Sequence, residues 1–327
     1  MSRSDTRVSV VVCTLNGEMY LREQLQSILS QTRPPDEIII SDDGSTDSTL
    51  QIVAEFVAAR GGPRAPVWQV ETRDKPLGVS KNFASALTRS RGEFIALADQ
   101  DDVWEPDRLQ SALSQFDDGV LLVHSDATLI DSSGRPGGTL MSALRLTSNE
   151  RSKLLGGRAL SALLRRNVVT GATTMIRSSL LEQALPVPDG WIHDEWLALV
   201  AATQGGVVFH PRALIRYRQH GTNEIGVSKT DYNEATRRLR EKRSDFFTRK
   251  LRRNAGIVEL LNDNPIWLDS AARSSLEAKV EFDSWRSSLP ASKVGRLVPV
   301  LRRWIAGDYG RYARGFVDVF RDIALTD

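Results

Sequence analysis

The chain reads as an α/β protein with a mostly parallel central sheet flanked by helices, followed by a helical C-terminal region. Three observations carry that reading. Runs over 8–14, 37–41 and 93–98 are apolar on both faces and β-branched, as strands buried in a parallel sheet are. Between them apolar residues recur at helical spacing, so strands and helices alternate as in βαβ units. Three polar clusters, at 14–16, 42–43 and 99–102, each follow a strand directly, and ligands bind beyond the carboxyl ends of such strands.

After the first strand, Asn16-Gly17 makes a turn, and Leu21, Leu25, Ile28 and Leu29 mark a helix. The second strand ends in Asp42-Asp43-Gly44-Ser45. Ser45 or Thr46 can cap the next helix, which carries Leu50, Ile52, Val53, Phe56 and Val57. A weaker strand is expected over 66–70, a helix over 78–89, and a strand over 93–98 that runs into the acidic cluster. Past Pro106, Leu109, Leu113 and Phe116 mark a helix leading to a strand over 120–124. Residues 132–138 form a Gly/Ser/Pro turn region, and 139–165 a helical or mobile insertion. Strand character returns over 168–177, a helix spans 193–203, and 207–209 and 214–218 are strands.

From about residue 228 the pattern turns helical and basic. Residues 228–327 hold 20 Lys/Arg against 14 Asp/Glu, whereas residues 1–227 hold 23 against 27. Such a split suggests two jobs, or only a solvated Arg-rich face. Leu301, Trp304, Ile305, Tyr309, Tyr312, Phe316, Val319, Phe320 and Ile323 trace one apolar stripe, which packs on the rest of the chain or docks on a membrane surface.

A length of 327 residues allows one large domain with an appendage or two modest domains. Cys13 is the only cysteine, so no internal disulfide exists and a reducing compartment fits. At the end of an apolar run it reads as a buried hydrophobe rather than a catalytic thiol. No stretch approaches the roughly 18 apolar residues of a membrane span. The polar start before residue 8 gives no signal peptide, so a cytoplasmic location is expected.

Three carboxylates in Asp99-Gln100-Asp101-Asp102 repel one another, and a hard divalent cation bridging phosphate oxygens would compensate them. An acidic surface turn is the alternative. A carboxylate in Asp42-Asp43-Gly44-Ser45 can accept the imide N–H of uracil or thymine, though such strings also serve as turn plus helix cap.

The ordered motifs VSVVVCTLNG, QTRPPDEIIISDDGSTDST, LGVSKNF and GEFIALADQDDVWEPDRL resemble glycosyltransferase family 2, with its GT-A (Rossmann-like) fold. RRNVVTGATTMIR, WIHDEWLALVA and YRQHGTN resemble a rhamnosyltransferase-like branch of it. The resemblance implies a catalytic domain over 1–226 and a helical, basic region over 227–327. It places Thr14 and Asn16 on a nucleotide-binding loop, where Leu15 stands in place of the family's common aromatic. Asp43 is implied as the base contact with Asp42 supporting it, and Asp99 near the ribose or sugar. Asp101 is implied as ligand to a divalent Mg²⁺ or Mn²⁺, with Asp102 an alternative ligand or a supporting acid. Lys81 and Asn82 are implied as donor contacts, though a role in starting their helix is equally compatible.

The same resemblance makes Asp194 the general base and Glu195 its competitor; on residues alone, Asp194 reads as a helix-terminal cap. His193 then orients the acid or lines the acceptor site. His220 completes the metal shell or touches the diphosphate, and Arg216 and Arg218 pair with phosphates or face solvent. The implied reaction is inverting transfer of a sugar from a nucleotide-sugar donor, dTDP-β-L-rhamnose first and a UDP-hexose second. The implied acceptor is a hydroxyl of a bacterial surface glycan, often lipid-linked, with the basic C-terminal helices docked peripherally at the inner face of the membrane. No nucleic acid partner is expected. A sugar-phosphate nucleotidyltransferase would need a glycine-rich phosphate loop that residues 8–17 lack. A catalytically dead glycan-binding protein would have no reason to keep Asp101, Asp194 and His220.

Overall fold

A computed structural model describes residues 6–59, 65–220, 242–263 and 265–325. Its strands are β1 (Val8–Thr14), β2 (Glu37–Asp42), β3 (Val67–Thr72), β4 (Phe94–Asp99), β5 (Val103–Trp104), β6 (Leu122–Asp131), β7 (Pro136–Thr139), β8 (Thr174–Arg177) and β9 (Val207–Gln219). They form one sheet in the order β3-β2-β1-β4-β8-β6-β9-β5, with β7 paired to β6. The half built from β3, β2, β1 and β4 is parallel, as the buried apolar strands require. The other half is mixed, because β8 lies antiparallel between β4 and β6.

Alternation of side chains along β1, β2 and β4 splits the core into two layers. Val8, Val10, Val12, Ile38 and Ile40 meet Leu21, Leu25 and Ile28 of α1 (Leu21–Leu29) on one face. Val11, Ile39, Ile95 and Leu97 share the other layer with Phe83 of α3 (Val79–Leu87) and Leu197 of α9 (His193–Thr203). The register sets Thr14 beside Asp42 and Cys13 beside Asp99, so three strands end level and deliver their polar residues to one edge.

Several local expectations change. Helix α2 (Thr49–Ala58) starts after Ser48; Ser45 Oγ instead donates to Asp42, and Asp47 accepts from the Thr49 amide. Over 168–177 only β8 is strand, preceded by a 3₁₀ turn at Gly171–Thr173. The two expected strands at 207–209 and 214–218 are one, because a bulge opposite Ser125 and Asp126 absorbs Pro211 and Arg212. After α4 (Arg108–Leu113), the insertion over 139–165 is helical: α5 (Leu140–Ala143), α6 (Ser148–Leu155, opened by a Thr147/Glu150 capping box) and α7 (Ala159–Leu163); α8 (Leu181–Ala184) then precedes α9.

The expected boundary at 226/227 lies outside the described residues, as do residues 221–223 of the last motif. Beyond it, α10 (Arg243–Asp263) and α11 (Ser270–Ser287) insert Ile257, Leu260 and Leu276 into the core layer that holds Trp196. A smaller core of Phe282, Val300, Tyr309 and Val319 joins α11 to α12 (Lys293–Ile305), α13 (Asp308–Tyr312) and α14 (Phe316–Ala324). The single apolar stripe does not form. Gly307 (φ 86°) and Gly315 (φ 63°) break the helix, turning Tyr309 and Val319 inward while Trp304, Ile305, Phe316 and Phe320 stay exposed. No described helix is long and apolar enough to cross a membrane.

Candidate active site

Strand β4 ends at Asp99, and the turn after it brings Asp99, Asp101 and Asp102 together, one ligand atom from each lying within 4.8 Å of the others. The Gln100 side chain points the other way, exchanging hydrogen bonds with the Leu15 backbone at 2.9 and 3.0 Å and pinning the acidic turn to the end of β1. Burial, then the charges of Asp101 and Asp194, push Asp99 up to about 7. Burial, then the charges of Asp101 and Asp99, push Asp102 well above the usual carboxylate range. One Asp102 oxygen accepts from the Arg218 amide at 2.9 Å, and the other is buried with no hydrogen-bond partner among the described residues. Converging hard oxygen donors, mutually repelling and with an orphaned oxygen among them, fit a divalent cation. His220, 119 residues away, reaches Asp101 at 2.8 Å from the end of β9.

Arg218 neither faces solvent nor is free for phosphate. Its guanidinium is buried, donating to the Asp101 carbonyl at 2.8 Å and to Glu23 at 2.6 Å while lying over the Tyr20 ring. Arg218→Ala should therefore destabilise the fold by about 2 kcal/mol in urea titration. Arg216 pairs with Glu105 at the surface.

The other loops are held by the residues expected to touch nucleotide. Asp42 is buried and accepts from Thr14 Oγ1, the Gly44 and Ser45 amides and Ser45 Oγ. Asp43 accepts from the amides of Leu77 and Gly78 at 2.8 Å each, clamping the approach to α3. Asn16, at φ 48°, accepts from the Thr46 amide and donates its own amide to Ser45 Oγ, which ties loops 14–18 and 43–47 together. Asn82 is buried against Ser41 and Arg73, whereas Lys81 is exposed and pairs with Asp189 at 3.6 Å.

Asp194 and Glu195 are separated by helix phase. Asp194 accepts from the Gly171 amide at 2.7 Å and the Glu195 amide at 2.6 Å, partly satisfying the start of α9. Burial dominates, with the Glu195 charge adding to it, and pushes Asp194 up to about 7. Glu195 faces α10 instead, in an ion pair with Arg253. His193 stacks on Phe83 at 4.0 Å with neither ring nitrogen hydrogen-bonded among the described residues, and burial lowers it to about 3. It is a neutral packing residue that makes no hydrogen bond to Asp194.

Three participants are not among the residues singled out from the sequence. Arg108 lies buried behind the acids, stacked on Trp104 at 3.7 Å; burial lowers its guanidinium to about 9 while Asp102 and Asp99 hold it up. Tyr217 is buried where burial and the charges of Asp99, Asp102, Asp101 and Asp194 all raise its phenol. Arg73 bridges Ser41, Asn82 and Glu71 at the end of β2. The sequence signal for Arg108 is no more than a cation six residues past the acidic run.

A family model described as Glycosyl transferase family 2 matches residues 9–183. The chain is 34% identical over 179 residues to the poly(ribitol-phosphate) beta-N-acetylglucosaminyltransferase TarS of Staphylococcus aureus, covering 54% of this chain and 28% of TarS. It is 23% identical over 249 residues to an uncharacterized glycosyltransferase of Haemophilus influenzae, covering 75% of each. With an uncharacterized protein of Mycobacterium tuberculosis it shares 28% identity over 223 residues, 65% of this chain and 59% of that relative's length. Among solved structures, S. aureus TarS 1-349 in complex with UDP-GlcNAc superposes with TM-score 0.58 at 18% identity, covering 96% of this chain and 89% of TarS 1-349. The mannosyltransferase PcManGT from Pyrobaculum calidifontis, in complex with GDP-Man and Mn²⁺, gives 0.53 at 17%, covering 98% and 86%. The likeness is one of fold, the GT-A-like α/β architecture.

Proposed function

Because the chain belongs to glycosyl transferase family 2, we propose that it moves a sugar from a nucleoside-diphosphate donor to a hydroxyl acceptor with inversion at the anomeric carbon. The observation that carries this reading is the convergence of Asp99, Asp101 and Asp102 at the carboxyl edge of the sheet, with His220 on Asp101 at 2.8 Å. Asp101 and Asp102, with His220 beside Asp101, would hold a divalent cation, which supplies charge neutralisation for a departing diphosphate. PcManGT carries Mn²⁺ with its donor, which supports that cation. Asp99 faces the sugar or ribose. Asp43 retains acceptor lone pairs for a base imide after clamping the Leu77 and Gly78 amides. Asp194 takes the proton from the acceptor hydroxyl, a task suited to a carboxylate poised near neutrality.

The donor we propose first is dTDP-β-L-rhamnose, from the branch motifs, with a UDP-hexose as the second reading, which the UDP-GlcNAc bound by TarS favours. The acceptor is a bacterial surface glycan.

Thermal unfolding with a panel of nucleotide sugars and Mn²⁺ tests the reading. The true donor at 100 times its Kd should stabilise the chain by about 2.7 kcal/mol, and EDTA should cancel the gain. If no nucleotide sugar raised the Tm, the donor site would be lost as an idea. A gain from UDP-hexoses alone would replace rhamnose.

A further inference from the structure

Helices α12 and α14 are built inside out for a protein in water. Val294, Leu297, Val298, Leu301, Trp304 and Ile305 of α12 are all exposed, Ile305 at 83% and Val294 at 76%. Spaced i, i+3, i+4, i+7, i+10 and i+11, they fall within about 120° of one helix face. Phe316, Val317 and Phe320 of α14 are likewise exposed, and Trp304 and Phe316 approach to 6.2 Å, which joins the two faces into one surface.

The charged sides of these helices point inward. Arg286 of α11 is fully buried and pairs with Asp322 at 2.6 Å and Asp318 at 3.1 Å, while Tyr309 donates to Asp322 at 2.6 Å. Arg296 is buried on the Leu325 carbonyl at 2.6 Å. This buried network fixes which face turns outward, so the exposed apolar surface is not a consequence of loose packing. Throughout residues 293–325 the acids Asp308, Asp318 and Asp322 are buried, and every exposed charged residue is basic: Lys293, Arg302, Arg311 and Arg314. Lys293 and Arg302 border the apolar face of α12 on either side, where long cationic side chains can reach phosphate headgroups while the apolar face sinks below them.

We propose that α12 and α14 form an interfacial docking surface for an anionic phospholipid bilayer. The apolar face enters the headgroup boundary, with Trp304 at the level where tryptophan is favoured, and the exposed cations engage anionic lipid. The apolar area supplies the part of the binding that salt does not screen. This surface is separate from the catalytic edge, so its test does not depend on the identity of the donor.

The test is flotation of the full chain with vesicles of phosphatidylglycerol and phosphatidylcholine. The wild type should float, retain part of its binding at high salt, and bind pure phosphatidylcholine about tenfold less well. The Leu301→Glu/Ile305→Glu variant should partition about tenfold less or worse, with an unchanged circular dichroism spectrum and unchanged Mn²⁺-dependent nucleotide binding. Three results would overturn the proposal. One is a wild type that stays with the soluble fraction, and another a double variant that floats like wild type. The third is a homodimer in sedimentation that the same two substitutions dissociate, which would assign the face to a second copy.

Discussion

Asp101→Ala is expected to abolish sugar transfer, lowering kcat/KM by about 10³-fold or more, and to remove Mn²⁺-dependent nucleotide binding. The argument rests on position. Asp101 shares the triad with Asp99 and Asp102 and has His220 at 2.8 Å, so its removal leaves a proposed cation with fewer hard donors. The substitution should not unfold the chain. Asp101 is a cause of the raised pKa of both Asp99 and Asp102, so its loss relieves repulsion in the metal-free protein. In EDTA the variant should unfold at the same temperature as wild type or higher. Activity that survives EDTA in the wild type would contradict the cation.

Asp194→Asn is expected to leave donor binding intact and to lower kcat by about 10²–10⁴-fold. Glu195 is a poor substitute because it is turned to Arg253 on α10. Wild-type kcat/KM should rise with pH to a plateau above about 7, as Asp194 becomes a carboxylate, and the variant should lose that limb. Stability moves the opposite way. The folded-state pKa lies near 7 against an ordinary 3.8, so between those values the native state holds a proton that the unfolded chain has released. The stability tied to the neutral acid is full below about pH 4 and is lost as pH rises to 7. In metal-free unfolding curves from pH 4 to 8, wild type should lose stability and Asp194→Asn should lose less. An identical pH profile in both, with unchanged kcat, would move the base elsewhere.

Much of the parallel half of the fold was legible because strand burial and side-chain period leave little choice. The run over 8–14 and the helix His193–Thr203 match the structure residue for residue. The ends of β1, β2 and β4 could be placed together because a parallel sheet puts like ends on one edge. Legibility failed where tertiary pairing overrides local signals. The local pattern gives two strands at 207–209 and 214–218, yet a bulge against β6 carries one strand through both. The sequence offers Arg218 either phosphate or solvent, yet it staples β9 to the acidic turn.

The sequence alone determined the kind of chemistry: acidic residues after buried strands, in an order resembling glycosyltransferase family 2, are written in residue type and spacing. Only the tertiary structure decided which of two neighbouring carboxylates turns to the Gly171 amide and which to Arg253 of α10. Adjacent positions on a helix point about 100° apart, and the packing of α9 between Gly171 and α10 sets the phase. Likewise the apolar residues near the C-terminus are plain in the sequence, but their direction is not. Two glycines and a buried Arg286 network turn Tyr309 and Val319 in and Trp304 and Ile305 out, because a buried charge must keep its partners.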